Sequence, residues 1–176
     1  VGPTASGKTA FANELAYRLG GEVVSADSMQ IYRGMDIGTG KPSASELKVS
    51  HYGFDLIDPG EPYSAALFQE FARTCFKDID ANNKTPFLCG GTGFYVRAAI
   101  DGYDFPAGEQ VGNDVRDRYG AFAREQGAQA LWEQLHAKDP ASAALIAPND
   151  IKRVIRAFEL VEEGTSYARQ HESLKA

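Results

Sequence analysis

The start of the chain carries its densest chemistry. Gly2-Pro3-Thr4-Ala5-Ser6-Gly7-Lys8-Thr9 fits the P-loop pattern of Gly, four residues, Gly-Lys and a hydroxyl residue. In such a loop the backbone N–H groups cradle phosphate oxygens, helped by the positive end of the following helix. Lys8 adds a point charge, and Thr9 can hold Mg²⁺ directly or through water. Nucleotide-binding and ATP-binding proteins share the motif, so alone it selects a di- or triphosphate.

Asp27-Ser28-Met29-Gln30 is a second constellation. A lone Asp at a strand end is a turn or cap residue. An acid, a hydroxyl and an amide together can bind a nucleobase edge or take its proton. The third is Gly90-Gly91-Thr92-Gly93, at a strand end where a Walker-B acid would hold the metal of an NTPase. Its glycines admit close backbone approach, and Thr92 offers a hydroxyl at a helix N-terminus, a position that also suits an N-cap. Gly38-Thr39-Gly40-Lys41-Pro42 imitates a P-loop but fails as one. Its spacing from Gly34 is one residue too long, and Pro42 replaces the hydroxyl residue. Lys41 either reaches a phosphate from this loop or is a solvated loop lysine. His51, His136 and His171 have no metal-ligand spacing.

The elements that must position these residues follow from periodicity. A helix from Ala10 to Leu19, with Phe11, Leu15 and Leu19 on one face, should follow the P-loop and end at Gly20-Gly21. Glu22 to Ala26 reads as a buried strand delivering Asp27. Gly34 to Ser50 reads as a long loop, and Tyr52 to Ile57 as a strand closed by Asp58-Pro59-Gly60. Ser64 can cap a helix with a stripe of Phe68, Phe71, Ala72, Cys75, Phe76 and Ile79. Thr85 to Cys89 is the next strand, and a helix starts near Phe94. Strand, P-loop, helix, strand, helix, strand, Gly-rich turn, helix is the grammar of a doubly wound parallel sheet, whose ligands bind at the carboxyl ends of the strands.

Beyond Gly102 only helices are predicted: Asp114 to Gln126, Ala128 to Ala137 and Pro140 to Ile146. Trp132 with Leu131 and Leu135 reads as their core. Asn149 or Asp150 then caps a helix with Ile151, Val154, Ile155, Phe158 and Val161 on its core face and Gly164 as its stop. The expected fold is α/β, a P-loop NTPase-like parallel sheet flanked by helices, with a small inserted helical subdomain. Its parts are a core over 1–101, an insert over 102–147 and a helix returning to the core over 148–176.

The 176 residues suffice for one sizeable α/β domain with a small appendage. A net charge of −6 gives no global argument for nucleic-acid binding, so any such binding needs a local basic surface. Lys152, Arg153 and Arg156 could form one, or they are a solvated helix face with an Arg156–Glu159 pair. Cys75 and Cys89 read as buried, reduced thiols. No apolar run spans a membrane and no secretory signal is recognisable, so a cytoplasmic location is expected. The chain begins one residue before the P-loop without an initiator Met, and a longer natural protein is expected.

The same residues carry a family resemblance. Gly2 to Thr9, Ser25-Ala26-Asp27-Ser28-Met29-Gln30-Ile31-Tyr32-Arg33, Asp36-Ile37-Gly38-Thr39-Gly40-Lys41-Pro42 and Gly90-Gly91-Thr92-Gly93-Phe94-Tyr95 follow the order and spacing of bacterial tRNA dimethylallyltransferases, also called tRNA isopentenyltransferases. Pro148-Asn149-Asp150-Ile151-Lys152-Arg153-Val154-Ile155-Arg156-Ala157-Phe158-Glu159 is similar to a helix of that family, with Phe158 in place of its usual Leu. The resemblance covers essentially the whole chain. The family's C-terminal third is expected to lie beyond the residues that carry this resemblance.

The resemblance implies transfer of a dimethylallyl group from dimethylallyl diphosphate to N6 of the adenine 3′ to a tRNA anticodon. The P-loop would then hold a diphosphate leaving group, which accounts for the missing Walker-B acid. Asp27 would accept the N6 proton, and Lys8, Thr92 and Mg²⁺ would stabilise charge on the departing diphosphate. Asp27, Ser28, Met29, Gln30 and Gly93, with Lys152, Arg153, Val154, Ile155 and Arg156, would contact adenine or tRNA. The base would leave its stack to react. The implied protein is a monomer with no protein partner. A P-loop kinase shares the first motif, prenyl transfer to free AMP or ATP shares the chemistry, and a non-catalytic phosphate-binding module would leave Asp27 without a role.

Overall fold

The computed structural model describes residues 1–2, 6–101, 105 and 114–173. The chain forms two compact units, Val1–Phe105 and Pro106–Ala176. The first contains a small parallel sheet. Helix α1 (Lys8–Leu19) leads into strand β1 (Gly21–Ser25), followed by a loop, strand β2 (His51–Tyr52), helix α2 (Ala65–Ala81), strand β3 (Thr85–Cys89) and helix α3 (Gly93–Ile100). Strand order is β2-β1-β3, and both pairings are parallel. Val23 stands opposite His51 and Phe87, and Ser25 opposite Cys89.

The central strand is buried along its whole length. Its alternate side chains point to opposite faces, so both faces are covered. Val23 packs with Ala12 and Ala16 of α1 and with Cys89. Val24, on the other face, is also fully buried, and α2 lies against β1 and β3. On α2, Ser64 accepts a bond from the Leu67 N–H (3.2 Å), and Phe68, Ala72, Cys75 and Ile79 are buried as its stripe predicts. The Phe68 ring stacks on Tyr95 of α3 at 4.5 Å.

Two expectations for this unit need correction. The face of α1 turned to the sheet carries small residues, not Phe11 and Leu19, which are both exposed. Ala12 and Ala16 let the helix lie close to the strands, and Asn13 is buried to hold the loop, its amide donating to the Glu46 carbonyl (2.8 Å) and accepting from the Lys48 N–H (2.9 Å). The strand expected over 52–57 stops after Tyr52. Gly53 turns into positive φ (95°) against the Ser25 carbonyl, and Asp55 is left-handed (φ 53°). Only an isolated parallel bridge, Tyr32 to Ile57, continues the pairing.

The second unit is helical: α4 (Asp114–Gln126), α5 (Ala128–Lys138), α6 (Pro140–Ala144), α7 (Ile151–Glu162) and α8 (Tyr167–Ser173). Helix α8 was not legible in its polar sequence. Within this unit α7 contributes residues of its apolar face to a shared core. Val154, Ile155 and Phe158 join Tyr119, Leu131 and Leu135 in one core of this unit, with Tyr119 stacked on Phe158 at 3.8 Å. The Trp132 indole N–H donates to the carbonyls of Ile146 (2.8 Å) and Ala143 (3.2 Å), pinning α6 to α5. No helix among the described residues is long and apolar enough to cross a membrane.

His51 has a consequence for stability. Its Nδ1 faces the Val49 carbonyl at 3.0 Å and therefore carries the proton of the neutral ring. Its Nε2 is buried without a partner among the described residues. Burial pushes its pKa below the usual 6.5. The unfolded chain then binds the proton more readily, so this stability is complete above pH 6.5 and is lost as pH falls through the lower, folded value. Wild-type unfolding free energy should decline between pH 7 and 5 by less than about 1.4 kcal/mol per pH unit from this group. His51→Phe, which keeps the stack on Phe54, should remove that share of the decline in denaturant titrations.

Candidate functional site

The P-loop segment ends where α1 begins. Gly7 is the N-cap in a left-handed conformation (φ 76°), and its carbonyl accepts from the Phe11 N–H at 3.0 Å. Gly7 has no side chain with which to cap α1, and the first turn of the helix holds no acid. The first-turn N–H groups and the helix dipole are thus arranged to receive an anion. A Cβ on Gly2 would lie 3.4 Å from Lys8 Cδ, so the lysine stem runs back past Gly2. Pro3, Thr4 and Ala5 lie outside the described residues.

The strand ends bring the other two motifs together. A Cβ on Gly90 would stand 2.0 Å from the Ala26 carbonyl oxygen, so only glycine fits there. The Ala26 N–H donates to the Cys89 carbonyl (2.8 Å), and the Thr92 N–H to the Ala26 carbonyl (3.1 Å). This crossing sets Thr92 beside Ser28. The Thr92 hydroxyl accepts from the Ser28 N–H (2.9 Å) and donates to the Ser28 hydroxyl (3.2 Å). Thr92 occupies the N-cap position of α3 without capping it through its side chain.

Asp27 divides its carboxylate between two tasks. Oδ1 accepts from the Met29 N–H at 3.0 Å, the turn bond expected of a lone Asp. Oδ2 is turned toward Gly91, 3.9 Å from where a Cβ there would lie. Gln30 is buried, its Oε1 accepting from the Ser25 hydroxyl (2.8 Å) and its Nε2 donating to the Thr39 carbonyl (3.1 Å). Met29 is exposed.

A cleft of about 220 Å³ gathers Lys8, Thr9, Asp27, Gln30, Thr39 and Cys89 among its walls. Thr92, Ser28, Met29 and Gly93 do not line it. Burial raises the Cys89 thiol pKa, in keeping with an inert, reduced side chain. A larger hollow of about 560 Å³ adjoins it, bounded by α1 and residues 40–48 and sharing Thr9, Ala10 and Gly40. Sequence reasoning missed Ser25 and the Thr39 carbonyl, which hold Gln30. A strand serine and a loop carbonyl carry no signal of their own.

Lys41 follows neither reading open to it. Its side chain is 6% exposed, and its ammonium bonds the Tyr32 carbonyl (2.9 Å), Asp36 (2.8 Å) and Asp55 (2.8 Å). Burial alone would lower its pKa, but the two carboxylates outweigh that and raise it above the usual lysine value.

The basic residues on α7 differ among themselves. Lys152 and Arg153 are exposed, Arg153 pairing with Asp150 at 3.3 Å. Arg156 is only 17% exposed and bonds Glu159 (3.1 Å), whose carboxylate is fully buried and also takes both arms of Arg116 (3.0 and 3.1 Å). Glu163 lies 3.6 Å from Arg156. The alternative of an Arg156–Glu159 pair therefore holds, within a larger network. Val154 and Ile155, expected at an RNA surface, are buried because the apolar stripe of α7 needs them in the core.

Comparison with known proteins defines the class. The family description "IPP transferase" matches residues 30–175, and "Isopentenyl transferase" matches residues 1–52. The chain is 49% identical over 164 residues to a tRNA dimethylallyltransferase of Geobacillus thermodenitrificans, covering 91% of this chain and 51% of that protein. It is 48% identical over 165 residues to one from Anaeromyxobacter dehalogenans, covering 93% and 54%. A crystal structure of a full-length tRNA isopentenylpyrophosphate transferase from Bacillus halodurans aligns over 94% of this chain and 55% of its own, with 46% identity and a TM-score of 0.57. A eukaryotic dimethylallyltransferase acting on tRNA aligns over 97% of this chain and 42% of its own, with 25% identity and a TM-score of 0.80. These proteins are transferases of a prenyl group. The chain belongs to the tRNA dimethylallyltransferase family. It spans about half the length of the curated relatives it matches.

The Glu159 network separates structural from free basic residues. Arg156→Ala should lower the unfolding free energy by about 1.5–3 kcal/mol, because a charge-assisted bond to a buried carboxylate is lost. Lys152→Ala and Arg153→Ala should each change it by less than about 0.5 kcal/mol. Urea titrations of the three variants measure the contrast.

Proposed function

We propose that this chain carries the diphosphate- and adenine-binding part of an enzyme that transfers a dimethylallyl group from dimethylallyl diphosphate to N6 of the adenine 3′ to a tRNA anticodon. The observation that carries the proposal is the shared cleft of Lys8, Thr9, Asp27 and Gln30 in a member of this family. On this reading the sheet unit is a P-loop NTPase-like core and the helical unit an insert into it.

The N-terminal turn of α1 and Lys8 bind the diphosphate. Asp27 stands in the same cleft. Met29 engages one of its oxygens, leaving Oδ2 for the proton shed by the exocyclic amine. That amine is a weak nucleophile because its lone pair is delocalised into the ring, so removing its proton as the bond forms lowers the barrier. Thr92, locked to Ser28, holds the Gly93 end of α3 and the Asp27 turn in register.

Mg²⁺ suits the donors present. Among the described residues no cluster of three or more His, Cys, Asp or Glu side chains could hold a metal. The Thr9 hydroxyl is a hard oxygen donor, and diphosphate and water would complete the shell, as Mg²⁺ prefers. When bound, it would offset charge on the diphosphate oxygens. Lys152 and Arg153, exposed on α7, suit tRNA phosphates, whereas Arg156 acts through the fold.

The full-length enzyme with labelled dimethylallyl diphosphate and unmodified tRNA tests the proposal. Label should enter tRNA and not free AMP or ATP; label in the free nucleotide would identify a different acceptor. Lys8→Ala should weaken dimethylallyl diphosphate binding at least about tenfold through loss of a charge-assisted contact. Asp27→Asn should cut the single-turnover rate by about two to four powers of ten with both substrates still bound. A near-wild-type rate would remove Asp27 from the chemistry. Lys152→Ala with Arg153→Ala should raise the KM for tRNA and flatten its salt dependence by about one to two counterions. An unmoved salt slope would assign these residues to a solvated face.

A further inference from the structure

Gln30 is an amide whose orientation can be deduced. The Thr39 carbonyl can only accept, so the atom 3.1 Å from it is Nε2. Oε1 then faces the Ser25 hydroxyl, which donates to it at 2.8 Å. Turning the amide over would set carbonyl against carbonyl. Among the described residues one N–H and one lone pair of this buried amide remain unspent, and the residue lines the cleft beside Lys8 and Asp27. Gln30 thus offers a neighbouring donor and acceptor with fixed polarity, the pattern that pairs with a nucleobase edge.

The fixed polarity depends on a carbonyl in an irregular loop. Gly34, Gly38 and Gly40 all have positive φ, so the backbone around Thr39 is not stiffened by side chains. Two contacts hold it. The Thr39 hydroxyl donates to the Met35 carbonyl (2.6 Å), and Lys41 spends all three ammonium protons on Tyr32, Asp36 and Asp55. The Asp55 N–H in turn donates to the Gln30 carbonyl at 3.2 Å. Asp55 therefore holds the Gln30 backbone with its own backbone and Lys41 with its carboxylate. The clasp closes on Gln30 from both ends.

We propose that Lys41 is a positioning residue that sets acceptor discrimination by holding the Thr39 carbonyl against the Gln30 amide, without itself touching substrate. The inference deepens the proposed function and rests on Gln30 lying on the adenine side of the cleft. Lys41→Met keeps the aliphatic stem and leaves Asp36 and Asp55, which are 65% and 48% exposed, to water.

In the full-length enzyme Lys41→Met should raise the KM for tRNA about tenfold, the size of one lost hydrogen bond to the acceptor. The dissociation constant for dimethylallyl diphosphate should stay within about twofold, since the P-loop is untouched. Gln30→Ala should raise the tRNA KM similarly, and the double variant should be no worse than Gln30→Ala alone. Additive losses, or an unchanged tRNA KM, would overturn the proposal. A readout free of turnover is the Gln30 side-chain amide in ¹⁵N NMR. Its protons should exchange slowly in the wild type and rapidly in Lys41→Met. Equal exchange in both would overturn the clasp even if the enzyme transfers its prenyl group normally. An intact clasp in an enzyme that transfers none would instead overturn the functional reading alone.

Discussion

The backbone at the end of β3 passes so close to β1 that position 90 has no room for a side chain. Parallel strands place their carboxyl ends side by side, but they do not by themselves bring the following turns into contact. Here the Ala26 peptide is held on both sides, donating to Cys89 and accepting from Thr92, so both chains leave the sheet as one bonded corner. Asp27 and Thr92 are the first side chains past that corner, and the hydroxyl of Thr92 locks the Asp27–Gln30 turn through Ser28. The acid at the cleft is therefore positioned by main-chain geometry, which a single methyl group at Gly90 would break.

The helical unit depends on a different constraint. Glu159 is a carboxylate in a mostly apolar core, and burying it is tolerable because two arginines satisfy it. One comes from its own helix and one from α4, so the carboxylate fixes the rotational setting of the two helices. This use of Arg156 leaves the exposed positive charge of α7 to Lys152 and Arg153. A basic sequence run is thus divided between an internal tie and a surface.

Several elements of both units were legible because their signals are local. β3, the cap of α2 by Ser64 and the start of α7 at Asp150 follow from chain-neighbour chemistry that tertiary structure does not override. The place of Asp27 just past the end of β1 was legible for the same reason. The failures share a cause. The buried face of α1 consists of alanines, which a hydrophobic-stripe rule undervalues beside Phe11 and Leu19. The end of β2 depends on Gly53 meeting the Ser25 carbonyl, a contact made across the sheet. Lys41 lies in a loop whose composition suggests solvent, and only its distant partner Asp55 reveals that it is buried. Val154 and Ile155 sat correctly on the core face, yet the family motif also enrolled them as RNA contacts. One sequence run mixes buried and exposed residues, and only the folded structure separates them.

The chain has a single tryptophan, Trp132, and its indole is tied to α6 inside the helical unit. The cleft of Lys8 and Asp27 belongs to the other compact unit. Tryptophan emission is consequently a spectroscopic label placed by nature on one unit alone. Its denaturation curve reports the helical core, while the circular dichroism of the whole chain averages both units. Where the two curves coincide, the units melt as one cooperative body; where they separate, a single melting temperature describes neither.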